Sequence, residues 1–325
     1  MKVILRWARP AAVAAVLAAV IWRLGSGPFL DGVRALDGRA LVAAAAIFLI
    51  TTVCAAWRWK IVADGLGVRL SLTNAVAAYY RALFLNLTLP GGVAGDVHRG
   101  VSHGRDVRDI GQAVRAVVWE RTAGQAIQVL LTISILFVLP SPLRSSMPFV
   151  ALALVATVVV VVLVLVVRVR IGRGRSRWER AQNVAVADIR HGLLRKRALP
   201  AVVLASTVAV LGHVLTFLIA ARAVGVTAPV SRLLPLAFLS MMAMVLPNIG
   251  GWGPREGVTA WAFSAAGLSA GRGAATAVAY GILVLAASLP GAVVLLSGWL
   301  AERRRSRAEA LVRAWPRQRP QAGRT

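Results

Sequence analysis

Between two long apolar runs lies the stretch Leu246-Pro247-Asn248-Ile249-Gly250-Gly251-Trp252-Gly253-Pro254-Arg255-Glu256-Gly257. A helix cannot run through it. Proline has no N–H to donate and clashes with the preceding turn, and glycine adds backbone freedom that a helix must remove. Backbone without helical hydrogen bonds survives at membrane depth only where protein packs against it or a watery cavity lines it. Arg255 and Glu256 set two opposite charges beside this break, and a charge at that depth is a functional-site hypothesis. The competing reading is a short extramembrane loop in which Pro and Gly only turn the chain.

The flanks decide that a membrane is involved. Of 325 residues 58% are hydrophobic and 15% charged, more apolar surface than a water-soluble domain can use. Residues 1–307 read as one membrane-embedded domain and 308–325 as a basic cytoplasmic tail. The single cysteine, Cys54, allows no intrachain disulfide. His98, His103, His191 and His213 show no ligand spacing, so neither a metal site nor a cofactor is expected. The formal charge of +26 reflects arginines gathered between apolar runs, the positive-inside pattern, rather than a nucleic-acid partner.

Along the chain, Pro10 to Trp22 is a first span, and Arg23 to Arg39 a polar connection. Ala40 to Trp57 is a second span, ending at an interface anchor of Arg58, Trp59 and Lys60. Leu72 to Gly95 is hydrophobic enough for one helix, yet Arg58, Lys60 and Arg69 precede it and Arg99, Arg105, Arg108 and Arg115 follow it. Both flanks have cytoplasmic character, so a re-entrant hairpin broken at Leu89–Asp96 fits better than a crossing. Val114 to Leu139, Phe149 to Val167, Leu199 to Val224 and Ala274 to Leu300 read as further spans. The basic loop Arg168 to Arg197 carries Trp178, Ala181, Ala185, Ile189 and Leu193 at helical spacing, which suits a helix on an anionic leaflet. Leu233 to Gly271 must start and finish on the same outer side, as a second hairpin or as two short crossing helices. The fold class expected is an all-α polytopic membrane protein with about six full spans plus two broken or re-entrant segments, about eight apolar segments in all. Both termini are expected in the cytoplasm of a bacterial plasma membrane.

The two breaks run in parallel. Leu89-Pro90 to Gly100 and Leu246-Pro247 to Gly257 each take twelve residues from Leu-Pro to a glycine that follows ionisable side chains. Paired interrupted segments of opposite orientation point to an inverted-repeat transporter with its site where they meet. Freed N–H groups and helix N-termini in a low-dielectric setting attract anions such as a lipid phosphate.

Three motifs then carry a resemblance: Asn86-x-x-Leu89-Pro90-Gly91-Gly92-x-x-Gly95-Asp96-x-x-Arg99, Glu120-Arg121-x-x-Gly124, and Pro247-x-x-Gly250-Gly251-x-Gly253-x-Arg255-Glu256-Gly257. Together they resemble the flippase-like family, the transmembrane region of lysylphosphatidylglycerol synthases, over roughly Arg6 to Leu300. The resemblance implies a membrane domain of about eight helices that moves, or helps move, a lipid across the plasma membrane. Only a short Arg-rich tail follows Leu300, so the synthase activity of the bifunctional relatives is not carried over, and a separate lipid-modifying enzyme is a partner to consider.

Arg99 and Arg255 are the candidate phosphate ligands, because guanidinium grips phosphate in a bidentate fork; interfacial snorkelling is the competing reading. Asp96, Glu120 and Glu256 are placed to pair with those arginines, or with a cationic headgroup or coupling proton, and Arg121 joins them in the substrate-binding set. Glu120 has a competing local pairing with Arg121 or Arg115. Pro90, Gly91, Gly92, Gly95, Pro247, Gly250, Gly251 and Gly253 are read as backbone turns of the broken segments, and Asn86 as a partner for backbone groups the break frees. A lone intramembrane His213 is read as a helix-to-helix hydrogen-bond partner, and Trp252 and Trp261 as packing or interface belt. Two other function classes compete. One is a membrane-embedded transferase using Asp96, His98 and Glu120 as acid–base groups, although no nucleophile elbow, metal set or nucleotide loop is present. The other is a scaffold acting through the 168–197 loop. A non-enzymatic transporter of phospholipid or lipid-linked headgroups ranks first.

Overall fold

The computed structural model describes residues 27–89, 92–141, 177–245, 248, 252–300 and 303. Among them every regular element is helical. In chain order these are α1 (Gly27–Arg34), α2 (Gly38–Gly65), α3 (Leu72–Thr88), α4 (Ala94–Asp106), α5 (Ile110–Val138), α6 (Arg177–Asp188), α7 (Ala198–Ala223), α8 (Val230–Met242), α9 (Pro254–Ala265) and α10 (Ala270–Ser288, carried past Leu289 to Leu300). The spans expected at Pro10–Trp22 and Phe149–Val167, and the tail 308–325, lie outside the described residues.

Local chemistry sets the helix starts. Asp37 Oδ1 accepts from Ala40 N at 2.8 Å, Ser71 Oγ from Asn74 N at 3.3 Å and Asp109 Oδ1 from Gln112 N at 2.9 Å, each satisfying a donor that the first turn would orphan. Length then sorts the helices. α2, α5, α7 and α10 have 28, 29, 26 and 31 residues, and at ~1.5 Å per residue each exceeds a hydrocarbon layer of about 30 Å. α3, α4, α8 and α9 have 17, 13, 13 and 12 residues, or roughly 18–26 Å, and fall short of it.

α2 and α7 form the central pair and run antiparallel: Arg58 reaches Ser206, Thr51 lies against Gly212, and Phe48 meets His213 edge-on at 6.1 Å. Small buried residues, among them Ala44, Ala56, Ala205 and Ala220, let these backbones approach closely, as dispersion-driven packing in lipid requires. The pair defines two ends of the bundle. At the Gly65 end, Gly65 lies against Gly192 beyond α6, and Gln112 at the start of α5 donates to Leu66 O. At the Ala223 end, Asp31, Arg34, Ala223 and Arg272 line one cavity.

The short helices form two hairpins, and they open at opposite ends. α3 and α4 pack side by side, with Ser71 and Asp106 lining one cavity at the Gly65 end. The fold-back brings Gly95 so close to α3 that a Cβ there would collide with the carbonyl oxygen of Ala82. α8 and α9 pack the same way, with Thr259 Oγ1 donating to Ser240 Oγ at 2.8 Å, and Arg232 Nη2 donating to Ala266 O at 2.5 Å across the mouth at the Ala223 end. The tips meet: a Cβ built on Gly92, whose φ is +65°, would lie 3.3 Å from Asn248 Oδ1. Leu233–Gly271 is thus a hairpin of two short helices.

Two expectations need correction. The second span does not stop at Trp57: α2 continues to Gly65, and Arg58 and Trp59 are 7% and 0% exposed, because a carboxylate and an arginine inside the bundle give them partners. The connection Arg23–Arg39 contains α1, where Gly32 seats its backbone against Ala275 of α10. The helix expected in the basic loop is present as α6, and Asp188 at its end ties it to α5, accepting from Arg115 Nε at 2.8 Å and Trp119 Nε1 at 3.1 Å.

Two measurements test this arrangement. In a Cys54→Ala background, Arg105→Cys and Ser231→Cys should label with an impermeant maleimide from opposite faces of the membrane; labelling from one face would break the opposed-hairpin topology. Gly95→Ala should lower thermal stability by about 1–3 kcal/mol or more through overpacking, whereas Gly298→Ala, with open space at its Cβ, should leave melting unchanged.

Candidate functional site

The first break places Asp96 and Arg99 on the first turns of α4, where both turn inward. Asn86 near the end of α3 holds the turn: its Oδ1 accepts from Gly95 N at 2.7 Å and its Nδ2 donates to Asp96 Oδ2 at 2.9 Å. Asp96 Oδ1 takes Arg99 Nε at 3.0 Å, and Asp96 Oδ2 also takes Arg121 Nη2. From α5, Glu120 is fully buried and binds two cations. Its Oε2 accepts from Arg99 Nη2 at 2.6 Å, and its Oε1 from Arg58 Nε at 2.9 Å, Arg58 Nη2, and Tyr79 Oη at 3.1 Å. Arg58 Nη1 completes the network on Ser206 Oγ at 2.9 Å.

Burying ions is tolerated only with near-complete compensation, and the geometry supplies it. Arg99 is 0% exposed and sandwiched between the rings of Trp59 (4.6 Å) and Tyr79 (4.4 Å), which face a cation with electron density. Gly124 gives Arg58 its seat, since a Cβ there would lie 2.7 Å from Arg58 Nη1. This is the physical content of the Glu120-Arg121-x-x-Gly124 spacing: the glycine sits one helical turn beyond the acid. Glu120 does not pair with Arg115, which is engaged by Asp188, nor with Arg121, which binds Asp96.

The second break repeats the chemistry with fewer charges. Gly253, at φ +108°, starts α9, and Glu256 Oε2 accepts from Gly253 N at 2.6 Å. Glu256 Oε1 takes Arg255 Nε at 3.0 Å and Nη2 at 2.6 Å. Arg255, 2% exposed, lies between the rings of Trp252 (5.3 Å) and Tyr280 (5.2 Å), and Gly281 leaves room for its guanidinium. Tyr280 Oη and His213 Nδ1 are 3.0 Å apart, the helix-to-helix bond anticipated for His213. Trp261 is 48% exposed, as an interface residue would be, while Trp252 stacks on the buried cation. Pro90, Gly91, Pro247, Gly250 and Gly251 lie outside the described residues.

Arg99 and Arg255 are therefore interior groups, not snorkelling ones. Beside the first network lies a notch of about 150 Å³, lined among others by Arg58, Tyr79, Arg121, Ser206, Gln128 and His213. Three guanidinium groups (Arg58, Arg99, Arg121) face two carboxylates (Asp96, Glu120), leaving one positive charge in excess, and Arg121 Nε is buried with no partner among the described residues. Tyr79, Ser206 and Tyr280 escape sequence reasoning, and Arg58 and Trp59 enter it only as an interface anchor, because the partners that bury them come from other helices. Among the described residues no group of three or more His, Cys, Asp or Glu is placed to hold a metal ion.

Glu120→Ala should cost about 3–5 kcal/mol, because it strands two buried cations. Adding Arg58→Met should recover part of that loss in detergent melting experiments, since one stranded charge is then gone.

No curated protein and no solved structure matches the chain. The family described as the lysylphosphatidylglycerol synthase TM region matches residues 6–317, a range that takes in both hairpins, both charge networks and the helices that carry them. The chain belongs to that family.

Proposed function

We propose that this protein is a flippase-like transporter that moves, or helps move, the phosphate-bearing headgroup of an anionic or aminoacylated phospholipid, or of a lipid-linked headgroup, across the plasma membrane without chemical change. The observation that carries this reading is a pair of hairpins that open at opposite ends of the bundle, with the charge network of the first, one cation in excess, lining a notch through Arg58 and Arg121. Membership of a family built around lipid-synthase membrane regions supports a lipid-related role.

The notch holds only about 150 Å³, roughly five waters at ~30 Å³ each. A whole headgroup is larger than this, so the helices around the notch must part to admit one. Opening from the Gly65 end and from the Ala223 end in turn gives alternating access, with acyl chains remaining in lipid while Arg121 and Arg58 offer donors to the phosphate. We assign the Gly65 end to the cytoplasm, because Arg69, Arg105, Arg108, Arg190, Arg195, Lys196 and Arg197 lie near it; the Leu300 end of α10 would then face the cytoplasm, as would the N-terminus with Pro10–Trp22 taken as a span. The transporter reading is favoured over the transferase reading because Asp96 and Glu120 are both held in ion pairs with Arg58, Arg99 and Arg121, which gives these carboxylates a charge-balancing role.

In phosphatidylcholine liposomes carrying a trace of labelled phosphatidylglycerol or its lysyl ester, the protein should change the leaflet accessibility of the label. Arg121→Gln should reduce that rate about tenfold or more, the loss of one charge-assisted hydrogen bond to a phosphate. Lys60→Gln, in an exposed pair with Asp64, should not. An unchanged label distribution with every such lipid, from folded and inserted protein, would overturn the proposal.

A further inference from the structure

The lining of the notch is defined as much by what it lacks as by what it holds. Arg58 and Arg121 line it, and among the described residues that do so none is Asp or Glu. The whole chain has 12 acidic residues. Asp96, Glu120 and Glu256 are the ones inside the bundle, and each is held by arginine. The others lie on α1, near helix ends, in connections or after Leu300. The apolar runs Pro10–Trp22 and Phe149–Val167 contain no acidic residue. No uncommitted carboxylate is left in either set to meet a cationic ligand at membrane depth.

What the notch offers beside its arginines is neutral. Arg121, Gln125 and Gln128 all line it, and their spacing of i, i+4 and i+7 sets them on one face of α5, a polar strip roughly 10 Å long on a membrane-crossing helix. Gln125 is exposed and has no hydrogen-bond partner among the described residues. Half-buried Gln128 has only the weak acceptor Met242 Sδ, at 3.9 Å. From α7, His213 adds a half-buried ring whose Nδ1 is taken by Tyr280 and whose Nε2 is unpaired among the described residues. Amides without partners are costly in an apolar setting. Water can serve them while the notch is empty, and a passing headgroup must take its place.

Each glutamine carries two N–H donors and a carbonyl acceptor, which complements hydroxyl groups that both donate and accept. An ammonium group would instead meet a network already one cation in excess, and like charges repel strongly where water is scarce. Taking the protein as the transporter proposed above, we infer that its substrate is a lipid whose phosphate bears an uncharged, hydroxyl-rich headgroup, a polyol or a sugar, and that Gln125 and Gln128 select for it against aminoacylated headgroups. The selection uses an attractive element, the amides, and a repulsive one, the missing carboxylate.

Phosphatidylglycerol and its lysyl ester, labelled on an acyl chain, share phosphate, glycerol and tails and differ in the cationic lysyl group. With the full chain in phosphatidylcholine liposomes, phosphatidylglycerol should change leaflet about tenfold faster or more. Gln125→Leu combined with Gln128→Leu should slow phosphatidylglycerol about tenfold, through the loss of two neutral hydrogen bonds, in protein that melts as the native chain does. Gln128→Glu, which puts a carboxylate into the notch, should erase or reverse the preference; a sieve acting on size alone would not respond to it. Equal rates with the native protein, a faster lysyl ester, or a preference untouched by these substitutions would overturn the assignment and leave transport standing. If neither lipid moves, the transporter reading falls and the assignment falls with it.

Discussion

Glu120 is the group on which the interior depends. A single carboxylate, fully buried, holds Arg58 from α2 and Arg99 from α4 at once, with Tyr79 of α3 as a third donor. Four elements are therefore tied through one side chain. In an apolar bundle the helix contacts are dispersion forces that many registers could satisfy. A buried ion has far fewer acceptable arrangements, because each missing partner costs several kcal/mol. The carboxylate thus selects one register among many, and the hairpin of α3 and α4 follows from it.

The second hairpin uses a smaller version of the same solution. Arg255 is neutralised by its own neighbour Glu256 and clasped by Trp252 and Tyr280, as Arg99 is clasped by Trp59 and Tyr79. The difference lies in the balance of charge. Arg255 and Glu256 are self-contained, whereas the first network is left one cation in excess. That excess faces the notch through Arg58 and Arg121.

Breaking a helix within the bilayer is expensive unless the freed backbone groups find partners. Here the partners are side chains placed a few residues away: Asn86 takes the N–H of Gly95, and Glu256 takes that of Gly253. These bonds satisfy the first backbone N–H groups of α4 and α9 from within each hairpin.

Much of this was legible in the chain itself. Hydropathy and arginine placement marked the long spans, the Pro–Gly runs marked both breaks, and the basic flanks of Leu72–Gly95 marked a hairpin, because local backbone chemistry and the energy of burying charge act over short stretches. Even the pairings of Asp96 with Arg99 and of Glu256 with Arg255 lie within one helical turn. Arg58 reads as an interface anchor because its sequence neighbours are aromatic and basic; its partners, Glu120 and Ser206, stand 62 and 148 residues away. The aromatic clasps are likewise assembled from separate helices. Whether a charge near a helix end meets water or a buried carboxylate is settled by which helices pack together, and only the tertiary structure decides that.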